Sequence, residues 1–174
     1  MENKKEHFVN KSSTADNLKD LWRTPKYLFD ALNSEFDFDV DVCASEENKL
    51  CEYFFNEQRS ALTNHWYSAS GGASFMNPPY SKTQEFLQRA AQQAKEHNLT
   101  VVALVNANTD TKWFKGAVAS ANEIRLITGR VGFINETGNK ASGNTKGQCL
   151  IIWRGNCKTP CQINMIDLKE LQNS

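Results

Sequence analysis

Two adjacent prolines set between an apolar run and an amphipathic stretch constrain this chain more than any other feature. The tetrapeptide is Asn77-Pro78-Pro79-Tyr80. Ala73-Ser74-Phe75-Met76 before it reads as a buried strand. Residues 81–97 after it read as a helix, with Phe86, Leu87, Ala90, Ala91 and Ala94 on one face. The tetrapeptide therefore leaves the carboxyl end of a strand, where open α/β sheets place their ligands. Each proline holds φ near about −65° and supplies no N–H donor. Asn77, preceding a proline, is driven to extended backbone. The loop is thus stiff, rich in acceptors and flanked by an aromatic ring, which suits the exocyclic amino group of a planar base.

The rest of the chain supplies the sheet around that loop. Thr24 followed by Pro25 predicts a helix over 25–35, with Thr24 as N-cap. Residues 36–44 alternate Phe36, Phe38, Val40 and Val42 with Asp37, Asp39 and Asp41, a period-two strand. A short helix over 45–50 and a short strand over 51–55 follow. Residues 56–72 are polar and irregular, anchored by Trp66 and Tyr67; His65 reads as a surface or packing residue. Residues 100–105 form a continuous apolar strand, as in the centre of a parallel sheet. A polar loop at 106–111 leads to a helix bearing Trp113, Phe114, Ala117 and Val118, then to a strand over 121–127. Segments 130–134 and 148–153 read as two antiparallel strands around a long tip at 135–147. The alternation of strands and helices, closed by a hairpin, gives an α/β sandwich with a mostly parallel sheet. The domain spans 21–155. A loosely ordered arm over 1–20 precedes it, and a tail over 156–174 with one short helix at 166–171 follows.

Composition narrows the function classes. The chain of 174 residues has no net charge, which disfavours a protein that coats nucleic acid. Yet 129–158 carries Arg130, Lys140, Lys146, Arg154 and Lys158 against Glu136 alone. That bias is either a solvated face or a phosphate-contacting one. No apolar run spans a bilayer, no signal peptide opens the chain, and the five cysteines are odd in number. These features predict a cytoplasmic protein with free thiols, no membrane association and no metal site.

Two further positions admit more than one reading. Thr24-Pro25 is either a plain helix start or a helix N-terminus that receives a carboxylate. Asp41, at a strand's end and followed by small residues, either faces solvent or holds the ribose or ammonium of a cofactor.

Trp22-Arg23-Thr24-Pro25, Asp39-Val40-Asp41-Val42-Cys43-Ala44-Ser45, Asn77-Pro78-Pro79-Tyr80, Thr109-Asp110-Thr111-Lys112-Trp113-Phe114 and Gly129-Arg130-Val131-Gly132-Phe133 occur in that order. Together, over residues 20–154, they resemble the phage-type DNA N6-adenine methyltransferases, the Dam-like family. The resemblance implies a class I S-adenosylmethionine-dependent fold, with a seven-stranded, mostly parallel sheet and an antiparallel terminal hairpin. It implies S-adenosylmethionine as cofactor and double-stranded DNA as partner, with the chain acting as monomer or homodimer. Trp22, Thr24, Pro25, Asp41, Cys43, Ala44 and Asn77 correspond to cofactor-binding positions. Asn77, Pro78, Pro79 and Tyr80 correspond to the catalytic loop. Tyr80, Lys82, Arg130, Phe133, Lys140 and Lys146 correspond to the nucleic-acid side, with Gly129, Arg130 and Phe133 in the segment that lines the target-base pocket.

The chain departs from the family pattern in two respects. Ala44 to Glu47 stand where a glycine-rich turn is usual. No separable recognition domain is present, so sequence reading falls to the 135–147 loop, the N-terminal arm or a second subunit. Methylation of GATC is common among Dam-like enzymes, but no residue here specifies it. The same loop chemistry also serves N4 of cytosine and N6 of adenine in RNA, and a catalytically idle binding module is the remaining alternative.

Overall fold

The computed structural model describes residues 20–66, 71–141 and 144–173. All of the proposed arm except Asp20, and Tyr67, lie outside the described residues. The helices are α1 (Lys26–Phe36), α2 (Thr83–His97), α3 (Lys112–Ser120) and α4 (Leu168–Asn173). The strands are β1 (Phe38–Asp41), β2 (Tyr53–Phe54), β3 (Ala73–Met76), β4 (Thr100–Asn106), β5 (Glu123–Thr128), β6 (Gln148–Arg154) and β7 (Gln162–Asp167). They form one seven-stranded sheet in the order β2-β1-β3-β4-β6-β5-β7. Only β6 runs against its neighbours β4 and β5; every other pair is parallel. The expected seven-stranded, mostly parallel sheet with an antiparallel hairpin is therefore present.

The hairpin differs in its members. It joins β5 to β6, whereas 130–134 leaves the sheet and pairs only by isolated bridges of Ile134 with Arg23 and Lys140. Gly129, at φ +94°, makes the exit, a conformation that a side chain would strain. The segment following Gly155 is more than a tail, because it supplies the edge strand β7 and α4.

Both faces of the sheet are covered, which explains why β4 and β6 are apolar at nearly every position. Helices α2 and α3 pack on one face, around Phe86, Ala90, Val101, Ile124 and Ile151. Helices α1 and α4 pack on the other, around Leu28, Leu32, Phe75, Val102 and Ile152. The predicted strand over 36–44 begins later than its alternation suggests. Phe36 ends α1, and Asp37 turns the chain at φ 53° while its N–H donates to the Asn33 carbonyl. The Phe36 and Phe38 rings still stack, 5.7 Å apart. Residues 45–50 form turns and no helix. Among the described residues no helix is long and apolar enough to cross a membrane.

Candidate active site

At the carboxyl ends of β1 and β3 lies a cleft of about 930 Å³. Four pieces of chain supply most of its border, a strap at 20–24, the loop at 41–50, the segment at 55–62 and the loop from Asn77 to Lys82, and Phe75, Phe86 and Glu136 complete it. The topology places them there. β1 ends at Asp41 and β3 at Met76, side by side in a parallel pair, so both following loops open on the same edge.

Trp22, Thr24, Asp41, Cys43, Ala44 and Asn77 all border the cleft. Pro25 lies behind them, buried at the head of α1. Its carbonyl accepts from the Leu28 and Phe29 amides, at 3.1 and 3.2 Å. The N-cap is Pro25 itself, and no side chain caps the helix. Thr24, only 8 % exposed, therefore does not cap α1 and makes no hydrogen bond through its hydroxyl among the described residues. That hydroxyl remains available to a ligand.

Asp41 is not a solvent-facing acid. It is 3 % exposed and accepts the N–H groups of Cys43 and Leu50, both at 3.2 Å. These two bonds shape the loop where a glycine-rich turn was expected. Burial outweighs them and pushes the carboxyl up from 3.8 to about 6. The acid's folded pKa thus lies above its unfolded one, so ionisation disfavours the fold. The penalty is absent below about pH 4, grows to about pH 6 and is constant above, reaching about 3 kcal/mol for a displacement of about two pH units. Replacing Asp41 with Asn should flatten this loss of stability with rising pH. Urea unfolding of both proteins at pH 4 and pH 7 measures it, and identical pH slopes would contradict the assignment. The neighbouring Cys43 thiol is held neutral by burial and then by the Asp41 charge.

Within the tetrapeptide Asn77 and Pro79 border the cleft, whereas Tyr80 and the buried Pro78 do not. Pro79 has φ −56° and ψ 137°, and Tyr80–Lys82 forms a single 3₁₀ turn ahead of α2. The Pro79 carbonyl is spent on the Lys82 amide at 3.0 Å and the Thr83 hydroxyl at 3.3 Å. The Pro78 carbonyl accepts no hydrogen bond among the described residues. Asn77 donates from Nδ2 to the Trp22 carbonyl at 3.3 Å, which orients its amide and leaves Oδ1 as an acceptor.

Trp22 connects the parts of the site. Its ring meets Tyr80 edge-on at 6.0 Å and stacks on Phe133 at 5.7 Å. Phe133 is only 1 % exposed, so it backs Trp22 rather than offering a face to a base. Burial, then the nearby Asp20 charge, raise the Tyr80 phenol above its ordinary value, and the ring stays neutral. Asp20 reaches across to Ser81, accepting from its amide at 3.1 Å and its hydroxyl at 2.6 Å. Arg23 and Ile134 exchange backbone bonds of 2.8 and 3.0 Å. The strap is therefore pinned at one end to the 77–82 loop and at the other to the 129–141 segment.

Lys82 is exposed at the cleft's rim. Arg130, Lys140 and Lys146 are exposed and do not border the cleft. They share the 129–147 connection between β5 and β6. A buried amide cluster holds its base: Gln148, 1 % exposed, donates to Asn106 Oδ1 at 3.1 Å and to the Lys146 carbonyl at 2.9 Å. Asn144 in turn donates to the Val131 carbonyl at 3.0 Å.

Sequence reasoning missed Asp20 and Ser81, because their pairing spans 61 residues. It also missed Asn56 and Glu57, which border the cleft just beyond β2. The argument that selected Asp41, a polar residue at the end of a strand, applies to both. The border carries six carboxylates, on Asp20, Asp41, Glu46, Glu47, Glu57 and Glu136, against the cations Arg23 and Lys82. Such a cleft suits a ligand that carries positive charge.

The family model for DNA N-6-adenine-methyltransferase (Dam) matches residues 11–174. The chain is 41% identical over 150 residues to the DNA N-6-adenine-methyltransferase of Haemophilus phage HP1, covering 84% of this chain and 85% of that one. It is 34% identical over 160 residues to the DNA N-6-adenine-methyltransferase of Escherichia phage T1, covering 82% and 66%. A solved Listeria monocytogenes structure assigned to the class I S-adenosylmethionine-dependent methyltransferases superposes with a TM-score of 0.43 at 15% identity, over 80% of this chain and 53% of that one. By the family match and the extent of its phage relatives, the chain belongs to the DNA N-6-adenine-methyltransferase (Dam) family.

Proposed function

We propose that this protein transfers a methyl group from S-adenosylmethionine to N6 of an adenine extruded from double-stranded DNA. The observation that carries the reading is the orientation of Asn77 by the Trp22 carbonyl beside a Pro78 carbonyl with no hydrogen-bond partner among the described residues. Two acceptors on a rigid loop match the two hydrogens of one amino group. Family membership favours adenine over cytosine as the bearer of that amino group.

The cleft fits the cofactor on its chemistry. Its acidic border complements a sulfonium and an ammonium, and the Thr24 hydroxyl is placed for a carboxylate. Asp41 would hold the loop that covers the ligand, with Cys43 and Ala44 lining it. When bound, the cofactor supplies the electrophilic methyl carbon.

Asn77 Oδ1 and the Pro78 carbonyl each accept one N6 hydrogen. Their pull localises the nitrogen lone pair, otherwise delocalised into the ring, toward the methyl donor. Tyr80 stacks on the base and fixes its plane. Trp22, braced by Phe133, fixes Tyr80 in turn. Alignment is the protein's main contribution, since reacting atoms held in line react without further orientational loss. The leaving proton departs once the nitrogen has become cationic, and Asn77 does not take it.

A base inside a duplex cannot reach this loop, so it must leave the stack. Stacking of about 1–3 kcal/mol against an aromatic ring offsets part of the unstacking. Lys82, Arg130, Lys140 and Lys146 face the phosphates. Reversing Lys140 and Lys146 to Glu should weaken DNA binding and lower the salt slope by about two. Fluorescence anisotropy over a salt series measures this, and an unchanged slope would return the 129–147 segment to a solvated face. Such an enzyme would act in the cytoplasm of a bacterial or phage-infected cell.

The deciding experiment is incubation of mixed-sequence DNA with labelled cofactor, followed by nucleoside mass spectrometry and mapping of modified sites. N6-methyladenine at a defined sequence is expected. N4-methylcytosine, or no modified base, would overturn the reading.

A further inference from the structure

Rows of side chains cross the sheet on the face covered by α2 and α3. Ala103, Ile151 and Ile124 form one row, and Val105, Cys149 and Leu126 the next. Strand β7 extends both, with Ile163 beside Ile124 and Met165 beside Leu126. Ile163 and Met165 are nevertheless 60% and 65% exposed, two of only four large apolar side chains exposed among the described residues. The helices end short of β7, and the apolar rows run out into solvent.

Among the described residues the strand's outer edge is equally unguarded. Native edges are protected by shortness, charge, proline or bulges. At the opposite edge, β2 is two residues long. β7 has six residues, with no proline and no charge before Asp167. The Gln162 N–H donates to the Asn122 carbonyl, toward β5. Strand alternation then turns the backbone groups of residues 162, 164 and 166 toward β5, and those of Ile163, Met165 and Asp167 outward. Ile163 and Met165 thus combine uncovered side chains with outward-facing N–H and C=O groups.

We propose that β7 pairs antiparallel with β7 of a second copy of this chain, with Ile163 opposite Met165 of that copy and Asn164 on the two-fold axis. Only even shifts set outward groups against outward groups and keep like faces together. In this register both apolar pairs coincide and four apolar side chains form one cluster. A two-residue slip one way sets Ile163 against Asp167, and a slip the other way leaves only residues 162–164 paired, with Met165 beyond the strand's partner. The contact is isologous, so it closes after two copies and forms no filament. An axis normal to the sheet reverses strand direction across it. The two clefts then open on opposite edges of the joined sheet, and each works on its own DNA.

Sedimentation equilibrium over a broad concentration range tests this. The mass should rise from one chain, 19.7 kDa, to twice that value. Ile163→Lys combined with Met165→Lys should hold the protein at one chain's mass with wild-type melting and an unchanged rate per chain. Met165→Pro should do the same, because the N–H it removes points away from β5. Asn164→Cys, with Cys157→Ser and Cys161→Ser, should cross-link on oxidation. Opposed residues on the axis sit about 4.5 Å apart, within disulfide reach. A wild-type protein that stays at one chain's mass would overturn the proposal. So would a lysine or proline variant that still dimerises, or a dimer in which the residue-164 cysteines fail to join.

Discussion

Replacing Asn77 with Ala should reduce methyl transfer by roughly 100-fold or more, the scale seen when one preorganised electrostatic partner of a transition state is deleted, while cofactor affinity changes little. The asymmetry follows from what the side chain does. Its Nδ2 is committed to the Trp22 carbonyl at 3.3 Å, so its Oδ1 is the group that discriminates an amine from a vacant pocket. The cleft is bordered as well by the strap, the 41–50 loop and the 55–62 segment, none of which depends on that oxygen. Asn77→Asp tests the mechanism more sharply. It keeps an acceptor but loses the donor to Trp22, and sets a carboxylate against a carbonyl. It should therefore also be slow, with its remaining rate sensitive to pH where Asn77→Ala is not. Single-turnover rates beside calorimetric cofactor binding would show this. Near-normal turnover in Asn77→Ala would remove Asn77 from the chemistry.

Trp22→Ala should lower both rate and stability, whereas Trp22→Phe should recover most of the stability and part of the rate. The ring makes two aromatic contacts, with Tyr80 at 6.0 Å and Phe133 at 5.7 Å. At about 0.5–1.5 kcal/mol each, their loss totals about 1–3 kcal/mol, or a fall in melting temperature of roughly 3–10 °C. The rate effect comes through Tyr80, whose plane is no longer held, and through Asn77, whose anchor lies on a loosened strap. The split separates positioning from plain structure. A structural defect alone would leave kcat per folded molecule unchanged below the melting transition. A positioning defect lowers kcat there, and dims or broadens the fluorescence response of a 2-aminopurine placed at the target base. Full kcat in folded Trp22→Ala would show that the strap is scaffolding only.

The local sequence carried a large part of this. The stiffness of Asn77-Pro78-Pro79-Tyr80 is a property of proline and the residue before it, so its shape and acceptor character needed no tertiary information. The apolar runs of β3, β4 and β6 declared buried strands for the same local reason. Other features were hidden. Segment 130–134 has the composition of a strand, yet Gly129 turns it out of the sheet to pair with Arg23. Thr24 looks like an N-cap, but its neighbour Pro25 takes that position and leaves the hydroxyl free. Phe133 looks like a pocket lining and is instead the brace behind Trp22.

The one-dimensional pattern thus determined the class of fold, the stiff shape of the Asn77-Pro78-Pro79-Tyr80 loop and the strand end at Asp41, because backbone preference and burial periodicity act over a few residues. Only the tertiary structure decided that a strap more than fifty residues upstream orients Asn77. It alone put Asp41 among backbone donors in the interior, and set β7 at the edge of the sheet with Ile163 and Met165 exposed. Those outcomes depend on which distant segments the sheet order brings together. Contact between them is set by packing of the whole chain and leaves no periodic trace in either segment.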